Sequence, residues 1–124
     1  MEIRKFNAYG IKLYAIRNRF LPPERFAAIN LILLFVRDFE DLTENILRHE
    51  AIHTLQAREM LYIPHLILYG LEYLVKFLIC WDSDRASKSI STEQEAYLNS
   101  RNLNYRHERK HYVFVRYIFK MYKK

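Results

Sequence analysis

The chain reads RHEAIHTLQ from Arg48 to Gln56, and this stretch predicts both a helix and a metal site. Residues four apart lie on one face of a helix, so His49 and His53 can direct their rings at one ion. Glu50, one residue beyond His49, can reach a water bound to that ion and accept its proton. The alternative is that both histidines lie on the surface of an ordinary helix. The spacing favours the metal site, with His49 and His53 as ligands and Glu50 as the general base.

The residues on either side of this stretch extend the predicted helix to about 41–60. Asp41 and Glu44 have the spacing of a capping box, with Asp41 as the N-cap. A stripe at steps of three and four follows, made of Leu42, Ile46, His49, His53, Gln56 and Met60. A stripe of this kind normally faces the core, so the ion is expected to be held inside the protein.

The segments before this helix predict a short β-hairpin or sheet over about residues 9–36. Phe6–Arg19 alternates weakly and contains β-forming residues, which favours a strand. Ala27–Arg37 is apolar, and its periodicity fits either a buried strand or a helix. A strand paired with the first segment is preferred, because residues 38–41 then begin the helix that follows. Pro22-Pro23 forces an extended turn between the two strands.

The segments after it predict helices, so the expected fold is α+β, mainly α, in a single domain of residues 1–124. The segment from about 63 to 80 is apolar around most of the helical circumference. It predicts the central core helix, with Pro64 in its first turn. Residues 82–91 are polar and predict a loop. A helix of about 93–102 follows, and residues 108–122, which fit helix or strand, are interpreted as the second helix of a C-terminal pair.

A catalytic zinc site usually has three protein ligands and leaves the fourth position to water. Glu95 is predicted as the third ligand, on a helix that can cross the first one at the metal. Glu93 competes with it, two residues away and therefore on nearly the opposite side of that helix. Glu59 is a weaker candidate, because at six residues beyond His53 it is poorly placed to turn back.

These motifs resemble a known family. The pair His49-Glu50-x-x-His53 and Glu95-Ala96-x-x-Asn99 is similar to the gluzincin branch of the zincin metallopeptidases, which takes a glutamate ligand from a second helix, commonly in Glu-x-x-x-Asp. Asn99 replaces that aspartate, and it can still accept a hydrogen bond from the second nitrogen of a ligand histidine.

The longer pattern resembles small, single-domain zincin-like peptidases of bacteria. The matching stretches are His49–Glu59, Tyr69–Tyr73 and Glu93–Tyr97, within a resemblance from about Pro22 to Arg116. The resemblance implies a zincin-like fold, one Zn2+ per chain, and peptide or protein substrates. It implies a zinc-dependent metallopeptidase that hydrolyses peptide bonds through a zinc-activated water.

The composition limits the classes of partner. Half of the residues (51%) are hydrophobic, which indicates a globular chain, and Cys80 as the single cysteine fits a reducing, cytoplasmic location. The net charge of +6 is spread along the chain without a nucleic-acid motif, so no nucleic-acid partner is expected. Glu72 and Lys76 interrupt the apolar segment, which disfavours a membrane span and leaves a membrane-surface contact as a less favoured alternative.

A second function remains open from the sequence. The chain is small, and no secure equivalent of the second cleft wall of larger gluzincins is visible. The protein could therefore bind zinc without turnover, as a sensor, a scaffold or a latent form whose tyrosine-rich C-terminal segment covers the cleft.

Overall fold

The computed structural model describes residues 2–17, 33–36 and 39–122, and the predicted α+β, mainly α class is confirmed. The strands are β1 (Ile3–Ala8), β2 (Ile11–Arg17) and β3 (Leu33–Val36), and the helices are α1 (Glu44–Glu59), α2 (Ile63–Cys80), α3 (Ser83–Ser89), α4 (Ser91–Asn99) and α5 (Tyr105–Glu108). Short 3-10 helices cover Phe39–Asp41 and Val113–Tyr117.

The sheet has the order β1-β2-β3, and its hairpin lies earlier in the chain than the sequence predicts. β1 pairs antiparallel with β2 through a tight turn at Tyr9 and Gly10. Gly10 has a φ of +74°, and a Cβ there would stand 2.7 Å from Nη1 of Arg106, whose guanidinium donates to the Tyr9 carbonyl. The single strand expected over Phe6–Arg19 is therefore wrong, because this glycine turns the chain within it.

The second predicted strand exists in part, but its direction differs from a hairpin partner. β3 pairs parallel to β2, with Tyr14 opposite Leu33 and Arg17 opposite Val36. Residues 27–32 and 37 of that prediction, and the Pro22-Pro23 turn, lie outside the described residues.

One face of the sheet packs on α1, and this contact forms the main apolar core. The buried members of the core are Ala8, Ile11, Leu13, Ala15, Leu34, Val36, Phe39, Leu47 and Ala51. α1 begins later than predicted: its N-cap is Thr43, whose hydroxyl accepts from the Ile46 amide at 3.2 Å, while Asp41 belongs to the preceding 3-10 helix. The helix itself is confirmed, and its inward face carries the histidines.

α2 has the bounds that the sequence predicts, but its orientation is the reverse of a core helix. Its buried side chains are His65, Glu72 and Lys76, whereas most of its large apolar side chains are exposed. The prediction of a central core helix is therefore wrong. Burial of these polar side chains is stable because Glu72 and Lys76 pair with each other and with backbone groups.

The Glu72–Lys76 pair joins α2 to the C-terminal half. The Glu72 carboxylate accepts from the backbone amide of Ser91 at 3.0 Å and from its hydroxyl at 2.5 Å, so it satisfies donors at the N-terminus of α4. Lys76 Nζ lies 3.1 Å from Glu72 Oε1 and donates to the carbonyls of Ser89, Tyr117 and Lys120. The start of α4 is thus fixed to the middle of α2.

Two further predictions in this half are wrong. The predicted loop contains α3, which begins at the N-cap Asp82, whose side chain accepts from the Arg85 amide at 3.1 Å. The predicted helix of 108–122 is absent from the described part of the chain, where the segment has one 3-10 helix and irregular backbone. α4 is present, from Ser91 rather than from Glu93.

Substituting Lys76→Met should lower the free energy of unfolding by about 3–5 kcal/mol, because it leaves the buried Glu72 carboxylate without its charged partner. The measurement is chemical denaturation followed by circular dichroism. Lys88→Met is the matched control: Lys88 pairs with Asp84 at 3.3 Å on the surface and should contribute less than about 1 kcal/mol. Equal losses for the two variants would contradict the assignment.

Candidate metal centre

Two helices bring three potential metal ligands to one point. α1 presents His49 and His53 one turn apart, with their Nε2 atoms 3.1 Å from each other. α4 presents Glu93, whose Oε1 lies 2.6 Å from His53 Nε2 and whose Oε2 lies 3.5 Å from His49 Nε2. The three ligand atoms lie within 4.8 Å of one another. Two ring nitrogens and a carboxylate form the donor set of catalytic zinc sites.

The hydrogen bonds of Gln56 prepare His53 to bind a metal ion. Gln56 Nε2 donates to the Thr92 carbonyl at 3.0 Å and to Glu95 Oε1 at 2.9 Å. Its Oε1 must then accept, and it lies 2.8 Å from His53 Nδ1. A proton on Nδ1 leaves the Nε2 lone pair available for an ion, which is the arrangement that metal-ligating histidines need. The residues present therefore fit a zinc ion.

Glu95, the predicted third ligand, does not join the histidines. Its side chain is 0% exposed and faces the opposite side of α4, where it lies 2.6 Å from Arg109 Nε and 2.7 Å from the Tyr105 hydroxyl. Glu93 takes the position near the histidines instead. The two glutamates are two residues apart on one helix, so only one can face the histidines of α1, and Arg109 holds Glu95 on the other side.

Asn99 and Glu59 also have roles other than those considered from the sequence. The Asn99 amide donates to the Glu95 carbonyl at 2.8 Å, and the side chain at Nδ1 of His53 is instead Gln56. Glu59 pairs with Arg109 at 2.6 Å, at the far end of α1 from His49. No such role was predicted for Gln56, although it lies on the stripe of α1, three residues after His53, and within the stretch His49–Glu59 that carries the resemblance.

The electrostatics of the cluster favour a cation between its members. Burial opposes charge on His53, but the Glu93 carboxylate outweighs this and raises the pKa of His53 to about 9. Burial would likewise raise the pKa of Glu93, but the charge of His53 and hydrogen bonds from both rings hold that pKa well below its usual range. In the absence of a metal ion, a proton on His53 therefore supplies the positive charge beside Glu93 at neutral pH.

A cavity of about 420 Å3 opens onto the three ligand residues. The described residues that line it are Asn45, Ile46, His49, Glu50, His53, His65, Leu66, Tyr69, Ser87, Glu93 and Tyr97. Glu50 is 7% exposed and lies in this wall, so the predicted general base and the histidines face one space. The described lining ends at Tyr97, and the C-terminal segment packs on α2 and α4 instead, which gives no support to a tail that covers the cleft.

Two side chains of this cavity, His65 and Tyr69, were not recognised from the sequence as part of the site, whereas Tyr97 was a candidate for stabilising an oxyanion. Burial and the charge of His53 lower the pKa of His65 to about 4, so its ring is neutral at pH 7. Burial raises the pKa of Tyr69 above its usual range and that of Tyr97 to about 12, so both keep their protons. The Tyr97 ring also lies 4.5 Å from the His49 ring, centroid to centroid.

Comparison with known proteins gives no match for this chain: no family model, no curated protein and no solved structure matches it. The resemblance to gluzincins consequently rests on the sequence motifs, and the case for a metal site rests on the geometry of these residues.

Replacing Glu93 with Gln should lower the zinc affinity by more than about a hundredfold, because changes around ligands alone cost about 10–100-fold and this change removes a ligand charge. Glu95→Gln should lower the affinity by about tenfold at most, acting through Gln56, while it lowers the melting temperature. Zinc affinity is measured by competition with a chelating dye. Glu44→Gln, at a side chain 92% exposed on the same helix as the histidines, is the control. A folded Glu95→Gln protein that loses zinc while Glu93→Gln keeps it would contradict this assignment.

The chelator-treated protein should lose stability as the pH rises from about 6.5 to 9. The pKa of His53 is raised from 6.5 to about 9 on folding, so its contribution is fully present below pH 6.5 and disappears as the pH passes 9. The readout is the melting temperature by differential scanning fluorimetry. His53→Gln should flatten this decline, and His111→Gln, at a side chain 88% exposed, should retain it. An equal decline in the parent protein and in His53→Gln would exclude this linkage.

Proposed function

We propose that this protein is a zinc-dependent metallopeptidase in which His49, His53 and Glu93 hold the ion and Glu50 acts as the general base. The observation that carries the proposal is the convergence of these residues on one cavity: the ligand atoms lie within 4.8 Å of one another, and Glu50 lines the same wall. A purely structural metal site has no need of a carboxylate between its two histidine ligands, beside an open cavity.

The proposal gives a chemical role to the metal ligands, to Glu50 and Gln56, and to two tyrosines of the cavity. When bound, zinc supplies Lewis-acid activation of water and of the substrate carbonyl. Glu50 accepts the proton of the attacking water and passes it to the leaving amine. Gln56 keeps the Nδ1 proton on His53, which orients the ring. Tyr69 and Tyr97 keep their hydroxyl protons at neutral pH, so they are donors available to a carbonyl oxygen that gains negative charge.

The cavity also limits the substrate. Its wall combines the apolar side chains Ile46 and Leu66 with the polar groups of the site, and a volume of about 420 Å3 holds a short peptide segment rather than a folded domain. The substrate class is therefore an extended peptide segment.

Glu50→Gln should retain zinc and lower kcat by about 10²–10⁴-fold, because it removes the general base and leaves the ligands in place. The assay incubates the zinc-loaded protein with a peptide library and identifies cleavage products by mass spectrometry. Glu44→Gln on the same helix should cleave as the parent protein does. Equal cleavage by Glu50→Gln would overturn the mechanism, and a zinc-loaded parent protein that cleaves no peptide would instead support zinc binding without turnover.

A further inference from the structure

The outer side of α2 is an apolar surface with no charged side chain. Its central residues are Ile67, Leu71, Leu74, Val75, Leu78 and Ile79, each 53–64% exposed, and we call them the apolar face of α2. The charged residues of the helix, Glu72 and Lys76, are buried on the other side and paired at 3.1 Å. A contiguous exposed apolar surface of this kind marks an interaction site with a protein or a membrane.

The dimensions of α2 fit a lipid bilayer. The helix has 18 residues and a mean hydropathy of 1.5, with 17% of it buried, so by length and composition it could cross a membrane. The two charges that argue against a membrane span from the sequence both point inward, where they meet protein groups rather than hydrocarbon. The rest of the helix surface therefore has no charged side chain that would have to enter the hydrocarbon of a bilayer.

The width of the apolar face favours lipid over a second copy of the chain. At 3.6 residues per turn, the exposed positions from Leu66 to Ile79 cover an arc of roughly 220°. A partner helix packs on a stripe of about 100°, which would leave more than half of this arc in water. Fluid lipid chains, in contrast, can contact the whole arc, so lipid covers this face more completely than a second helix would.

The C-terminal segment adds positive charge beside this face. The carbonyls of Tyr117 and Lys120 accept from Lys76, which holds the segment against α2, and Phe119 between them is 98% exposed. From Val113 onward the chain has four Lys and Arg residues and no acidic residue. An exposed aromatic ring among basic residues complements the anionic headgroups of a membrane surface.

The neighbouring helix decides between spanning a membrane and lying on it. α3 packs beside α2 and carries the surface pair Asp84 and Lys88, whose side chains are 59% and 36% exposed. These charges would enter the hydrocarbon if α2 crossed the bilayer. We infer that α2 lies along the surface of an anionic lipid bilayer and inserts its apolar face, with Phe119 and Lys120 at the headgroups. This inference is independent of the proposed peptidase activity.

Trp81 is the single tryptophan of the chain, lies directly after α2 and is 72% exposed, so it reports on the environment of this helix. The experiment mixes the protein with vesicles of phosphatidylcholine and phosphatidylglycerol. We expect the protein to float with the vesicles and the Trp81 emission to shift to shorter wavelength. Vesicles of phosphatidylcholine alone should bind it more weakly, since the basic segment then lacks its anionic partners.

Leu74→Glu should lower the partition coefficient about tenfold or more, because inserting a leucine contributes a factor of that order. Leu103→Glu adds the same charge at a site 70% exposed outside α2 and should bind as the parent protein does. Leu71→Glu serves as a second variant, and circular dichroism verifies that each one is folded.

Two results would overturn the inference. The first is the absence of vesicle binding, or an equal loss of binding in Leu74→Glu and Leu103→Glu, which would reduce the effect to net charge. The second is a stable dimer in sedimentation velocity that does not bind vesicles and that Leu74→Glu dissociates, since the apolar face would then be an interface between two copies of the chain.

Discussion

The buried carboxylate of Glu95 holds together the structure around the candidate metal centre, although it lies away from the histidines. A carboxylate that is 0% exposed must be neutralised and hydrogen-bonded within the protein. Arg109 supplies the charge and two of the hydrogen bonds, and Tyr105 and Gln56 supply one each. Four bonds to one buried group allow little freedom, so the Gln56 amide has a defined orientation, and it sets the protonated nitrogen of His53 in turn.

The same logic explains why Glu93 reaches the histidines with a defined geometry. Two residues before it, the amide and hydroxyl of Ser91 are held by Glu72 of α2. Two residues after it, Glu95 is held by Arg109, which also pairs with Glu59 at the end of α1. α4 is therefore fixed by buried ionic groups on both sides of Glu93. Desolvating such groups costs free energy, but their contacts hold Glu93 in a defined position. A metal centre requires its ligands to be placed to within fractions of an ångström.

The sequence was informative where a signal is local. The His-Glu-x-x-His spacing and its stripe predicted α1 and placed its inner face, and the long apolar segment gave the bounds of α2. The choice between Glu93 and Glu95 could not be made in this way, because both lie on one helix and the decision depends on Arg109, which is 14 residues from Glu95 in the chain. Arg109 sits in irregular backbone, so no periodicity shows which carboxylate it meets.

The prediction that α2 is a core helix was wrong for a different physical reason. A helix that is apolar around most of its circumference has no hydrophobic side that would face the core, so its few polar residues decide which side turns inward. Burying Glu72 and Lys76 together is favourable only because the first turn of α4 and the C-terminal carbonyls complete their hydrogen bonds, and those partners come from distant parts of the chain. His65, on the same inward side, lines the cavity of the candidate metal centre, and Leu66 beside it lines the same cavity and is 43% exposed. The inward polar side of α2 thus builds the wall of the site, and the apolar face that remains outside follows from that arrangement.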